Sequence, residues 1–150
     1  MRKYLVVLPL VLAFTSSAFA VNASISKSAR PGNIYGTAPF YSYATFGVTS
    51  VNFPSGTLNL TKTITSVQYS WQHYSNGTTD KVELCYDKPY KRIYEYCFDI
   101  TSSQTGTSTA LNSLQFDAGS NFYIKHTVSG PTSPKIPSLT NDQITVNYSY

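Results

Sequence analysis

Lys81-Val82-Glu83-Leu84-Cys85-Tyr86-Asp87, followed after a short tip by Glu95-Tyr96-Cys97-Phe98-Asp99-Ile100, is the stretch on which the fold turns. Placing Cys85 opposite Cys97 in an antiparallel hairpin also places Tyr86 opposite Tyr96, Leu84 opposite Phe98 and Val82 opposite Ile100. These six share one face, as a buried sheet face requires. The other face carries Lys81, Glu83, Cys85, Asp87, Glu95, Cys97 and Asp99. A one-residue slip would mix the faces, so the apolar pattern and the cysteines choose the same register independently. The register sets Glu83 against Asp99 and Asp87 against Glu95, and Lys81 and Lys88 are expected to screen these pairs.

Outward from the hairpin, the 150 residues read as an all-β chain. Thirteen tyrosines and one methionine suit strands better than helices. No window of helical length keeps a 3.6-residue period, and turn signals recur about every ten residues. The expectation is a single antiparallel β-sandwich of about seven strands, Ig-like in general architecture, with one disulfide, Cys85–Cys97. Residues 21–43 are the least regular, and residues 45–52 form a strand. Between Thr57 and Tyr74, Leu58, Leu60 and Ile64 share one parity and Val67, Tyr69 and Trp71 the other. A strand cannot switch parity without an extra residue, which puts a bulge near Thr65-Ser66. Asn76-Gly77 is a hairpin-type turn signal. Leu114–Phe116, Phe122–Val128 and Ile144–Tyr150 complete the strands, and the proline-bearing stretch Ser129–Pro137 is a loop.

Residues 1–20 read as a secretory signal peptide. Arg2 and Lys3 open it, an apolar run from Tyr4 to Phe14 follows, and Ala18-Phe19-Ala20 is the cleavage site. The run is too short to span a bilayer. Cleavage would leave residues 21–150 as one soluble β-sandwich domain and lower the net charge from +4 to +2. No basic stripe marks a nucleic-acid surface. Export places both cysteines in an oxidising compartment, where a disulfide is the default. Two cysteines and two distant histidines, His73 and His126, offer no paired zinc spacing.

Catalytic signals are sparse. His73 and His126 each share parity with apolar strand residues, as structural histidines do. The acids Asp80, Glu83, Asp87, Glu95 and Asp99 could raise one another's pKa values as a glycosidase pair does, but they read more simply as a solvated hairpin face. No G-x-S-x-G elbow or Cys–His signature is present. Neither an enzyme nor a cofactor is expected. Lys88-Pro89-Tyr90-Lys91-Arg92, at the hairpin tip, is the candidate partner-binding group. It sets Lys88, Lys91 and Arg92 beside an exposed aromatic, Tyr90, although a solvated basic turn has the same composition.

The motifs Val82-Glu83-Leu84-Cys85 … Cys97-Phe98-Asp99-Ile100, Val67-Gln68-Tyr69-Ser70-Trp71 and Asp142-Gln143-Ile144-Thr145-Val146-Asn147-Tyr148 together resemble the FlhE family of flagellar proteins. The resemblance covers roughly residues 64–100 and 121–148. FlhE cysteines lie only a few residues apart, whereas eleven residues intervene here, so this tip is longer. The resemblance implies a periplasmic, non-enzymatic accessory that binds a protein of the flagellar export apparatus or basal body. The alternative is a secreted or surface binding module, an adhesin or carbohydrate-binding domain using its tyrosines.

Processing and redox state are testable together. The exported chain should begin at Val21, and intact-mass measurement should show no alkylation without prior reduction. A thiol that alkylates in the unreduced protein would contradict the assignment.

Overall fold

The computed structural model describes residues 20–91 and 96–150. The expected signal peptide lies outside them apart from Ala20. Among the described residues the strands are β1 (Asn22–Ala29), β2 (Phe40–Gly47), β3 (Thr63–Ser70), β4 (Thr78–Asp87), β5 (Tyr96–Asp99), β6 (Thr105–Ser108), β7 (Asn121–Ser129) and β8 (Asp142–Ser149). They form two four-stranded antiparallel sheets, in the orders β1-β8-β3-β6 and β2-β7-β4-β5. The architecture is the expected all-β sandwich. No helix among the described residues is long and apolar enough to cross a membrane.

The inner faces follow from alternation. On one sheet Ala44, Phe46, Phe122, Ile124, Val82, Leu84 and Tyr86 are buried. On the other, Ile25, Ile64, Val67, Ile144, Val146 and Tyr148 meet them. Each large apolar side chain so buried contributes about 1.5–3 kcal/mol relative to exposure. Buried Trp71 and Tyr86 find partners for their polar atoms. Trp71 Nε1 donates to the Ser103 carbonyl at 2.8 Å and the Ile100 carbonyl at 3.2 Å. The Tyr86 hydroxyl donates to the Gln115 carbonyl.

The hairpin register is as the sequence dictates: Glu83↔Asp99, Leu84↔Phe98, Cys85↔Cys97 and Tyr86↔Tyr96. Cys85 and Cys97 are disulfide-bonded, with Cα atoms 4.1 Å apart. Closing a loop of this length contributes about 3 kcal/mol in the chain-entropy account. The β3–β8 register shifts between Ile64 and Ser66, so the parity change in the sequence is a bulge.

Several local expectations are overturned. Residues 21–43 contain a full strand, β1, and the strand placed at 45–52 runs from Phe40 to Gly47, followed by a 3-10 turn at Ser50–Asn52. Leu58 and Leu60 do not belong to a strand. Their carbonyls accept hydrogen bonds from Lys62 Nζ, at 3.3 and 2.9 Å, and this wraps the chain around the ammonium. Asn76-Gly77 joins strands in different sheets instead of making a hairpin. The Asn76 side chain donates to the Pro134 carbonyl (2.8 Å) and accepts from Ile136 N–H (2.7 Å), which spends the turn on loop contacts. Residues 114–116 make only the isolated bridge Thr63↔Gln115.

The correction at Leu58 can be measured. Leu84→Ala, deep between the sheets, should lower unfolding free energy by about 2–5 kcal/mol. Leu58→Ala, on a side chain 46% exposed, should change it by no more than about 0.5 kcal/mol. Urea denaturation of the two variants gives the contrast.

Candidate functional site

The outer face of the β2-β7-β4-β5 sheet is less solvated than the acidic pattern implies. Asp87 is fully buried, and Glu83 is mostly covered. Glu83 sits in a lysine cradle: Lys81 Nζ is 2.6 Å from Oε1 and Lys125 Nζ 3.0 Å from Oε2. Lys125, from the neighbouring strand, joins Lys81 in screening Glu83. The Lys81 hydrogen bond, supported by Lys125, holds the Glu83 carboxyl below its ordinary range. Asp99 is also lowered, because the Thr101 hydroxyl and backbone N–H hydrogen-bond to it. Facing acids usually raise each other's pKa; here the hydrogen-bond donors and lysines outweigh the repulsion. A glycosidase needs one carboxyl raised, and neither of these two is.

The tip residues Lys88, Tyr90 and Lys91 are described; Arg92 lies outside the described residues. Tyr90 is 86% exposed yet not loose. It adopts φ +62°, and its N–H donates to the Gly119 carbonyl at 3.2 Å. Lys91 N–H closes the turn on the Lys88 carbonyl at 3.0 Å. The Tyr90 ring crosses Gly119, itself at φ +90°, where an added Cβ would stand 3.0 Å from a ring carbon. Gly119 therefore serves both the turn and the ring. Lys88 Nζ lies 5.2 Å from the centroid of the Tyr96 ring. Lys91 is exposed. The tip is thus an aromatic held at its backbone and flanked by two lysines.

The histidines part company. His73 lies beyond the end of β3 and is exposed, contrary to the inward parity read from the sequence. Its Nδ1 is 3.1 Å from Thr79 Oγ1, and its ring meets Trp71 edge-on at 4.8 Å. It lines an open groove of about 530 Å³ with Gln72, Gln104, Pro137 and Leu139. His126 is wholly buried, and its Nε2 lies 2.6 Å from Asp142 Oδ2. Asp142 Oδ1 accepts from Gln72 N–H at 3.0 Å. Among the described residues His126 Nδ1 has no hydrogen-bond partner. Tyr74 packs edge-on against His126, and burial, above all, pushes its hydroxyl pKa up. Asp142 was passed over in the sequence, although it shares parity with Ile144, Val146 and Tyr148, which puts a carboxylate on the buried face. Among the described residues no three His, Cys, Asp or Glu side chains gather to hold a metal ion.

No family model matches the sequence. No curated protein matches it either. Among solved structures the chain is similar to one titled "Crystal Structure of FLHE", at 16% identity and a TM-score of 0.48, covering 87% of this chain and 98% of that one. FlhE is also the family that the motifs above resemble.

The cradle has a pH signature. A carboxyl lowered on folding stabilises the fold above its unfolded pKa, near the ordinary value of 4.5, and this is lost as pH falls through the lower folded pKa. Glu83→Gln should therefore flatten the acid limb of a stability–pH profile below that value and leave its neutral limb parallel to wild type. An unchanged acid limb would show that the cradle contributes nothing.

Proposed function

We propose that this protein is an exported, non-enzymatic binding domain that presents the β4–β5 tip to a protein partner, in the manner of an accessory to flagellar export or assembly. The observation that carries the reading is Tyr90: an aromatic 86% exposed, held by its backbone between Lys88 and Lys91. An anchor already in position loses little ordering entropy on binding. Aromatic anchors also carry a large share of interface energy. The sequence resemblance to FlhE supplies the biological setting, a periplasmic partner in the export apparatus or basal body. What favours the non-enzymatic reading is that His126, though paired with Asp142, is wholly buried out of a substrate's reach, and that the exposed His73 meets a threonine and the edge of Trp71.

The alternative, a carbohydrate-binding module, would use Tyr41, which is 61% exposed on the outer sheet face. Lys125 Nζ already stands 5.4 Å from the Tyr41 ring centroid and covers one of the two faces a sugar could stack on. The tip reading is therefore preferred.

The test is complementation of a strain lacking the chain, scored by swimming motility and by steady-state protein level. Tyr90→Ala with Lys91→Ala should accumulate normally and fail to complement. As an interface hot spot, Tyr90 would contribute about 2 kcal/mol or more to binding. His73→Ala should complement as well as wild type. Full complementation by the tip variant returns the tip to a solvated turn, and a stable His73 variant that fails would reopen the enzymatic reading.

A further inference from the structure

A two-sheet sandwich has four edge strands, and edges left open invite pairing with other chains. Three of the four here carry some protection. β5 and β6 are four residues each, and β5 ends on Asp99. β1 carries Lys27 within its eight residues. The fourth, β2, is eight residues of Phe40-Tyr41-Ser42-Tyr43-Ala44-Thr45-Phe46-Gly47, with no charge and no proline. Its register against β7 runs without a bulge from Phe40↔Val128 to Gly47↔Asn121. Among the described residues, no backbone–backbone hydrogen bond outside the strand ladders involves residues 40–47. The loop before it touches its side chains, through Gly32 N–H to Ser42 Oγ at 2.9 Å and Gly36 against the Phe40 ring, without pairing to its backbone.

A second observation falls on the same strand. Of the large hydrophobic residues exposed among the described residues, those lying within a strand are Phe40 and Tyr41, at 43% and 61%. Both sit in the open half of β2. The strand is also its own complement. Antiparallel to a second copy and centred on Tyr43, it sets Tyr43 against Tyr43, Tyr41 against Thr45, Phe40 against Phe46 and Ser42 against Ala44. Aromatic and β-branched pairs of this kind favour a sheet pair, and no like charges oppose each other. Every residue keeps its face, so the two outer sheets would join as one continuous eight-stranded surface across a two-fold axis.

We infer that β2 is a self-association edge, through which two copies of this chain pair antiparallel about Tyr43. The inference rests on β2 and uses none of the tip residues.

Sedimentation equilibrium of the exported, disulfide-bonded chain over a dilution series should give a twofold mass that dissociates to one. Tyr43→Lys, which sets two ammonium groups face to face at the axis, should give the single mass throughout, with Tyr41→Lys as a second variant should the first melt early. The tip variant Tyr90→Ala should remain dimeric. Register is read by cross-linking. Directly opposed residues stand about 4.5–5.5 Å apart at Cα, within disulfide reach, so Tyr43→Cys should give a covalent dimer. Thr45→Cys should not, since its two copies would stand roughly 14 Å apart along the strands. A single-copy mass at every concentration would overturn the inference, and so would a dimer that survives both lysine variants. Equal cross-linking at positions 43 and 45 would overturn the register. Capture of an unrelated extended peptide by monomeric chain would mean that β2 receives a partner strand instead.

Discussion

The pairing of β4 with its two neighbours orders the molecule. On one side β4 meets β7 from Thr78↔Ser129 to Asp87↔Asn121, and on the other it is clamped to β5 by the disulfide. This double constraint sends Val82, Leu84 and Tyr86 inward and leaves Glu83, Cys85 and Asp87 on the opposite face. Because β-sheet periodicity is two, a one-residue slip of β4 would turn the core outward along the whole strand. The cross-link joins adjacent strands within one sheet, so it holds register without tying the two sheets together. Sheet-to-sheet adhesion is left to the apolar faces.

The parts legible in the sequence are those where two signals agree. In the hairpin, the cysteine positions and the apolar alternation each specify the same register. At residues 64–66 the parity change permitted no regular strand, and the bulge is its consequence. β7 and β8 alternate apolar and polar residues over their length. The parts that escaped are strands and turns whose determinants are not apolar. β1 and β6, Asn22–Ala29 and Thr105–Ser108, consist largely of Ser, Thr, Asn, Ala and Gly. They are strands because a neighbour supplies a ladder, a tertiary cause that local composition does not encode. Of the tip, its position and its exposed aromatic were readable; the positive φ of Tyr90 and its contact with Gly119 depend on a loop about thirty residues away.

A sequence with only 12% charged residues buries several of them. Lys62 and Lys135 are both sequestered, and each directs its ammonium at main-chain carbonyls of irregular segments: Leu58 and Leu60 for the first, Gly36 and Thr132 for the second. Carbonyls in such segments lack a ladder, and an ammonium with three donors can serve two or three of them at once. The lysines thus do for the loops what strand neighbours do for the sheets. His126 and Asp142 form a third buried polar pair, at the end of the sandwich where Tyr74 and Gln72 close over it. A fully buried carboxylate is tolerated only when hydrogen-bonded, and Asp142 has both oxygens engaged.

Trp71 is the only tryptophan in the chain, and its surroundings give the protein a built-in optical reporter. Its ring is buried, and its indole N–H is held by carbonyls from the segment after β5. Both histidines of the sequence approach it, His73 at 4.8 Å and His126 at 6.1 Å between ring centroids. Intrinsic emission excited at the red edge, where the many tyrosines do not absorb, therefore arises at one point, where the two sheets, the groove and the buried His126–Asp142 pair converge. Changes in packing at that end of the sandwich can be followed in the unlabelled protein.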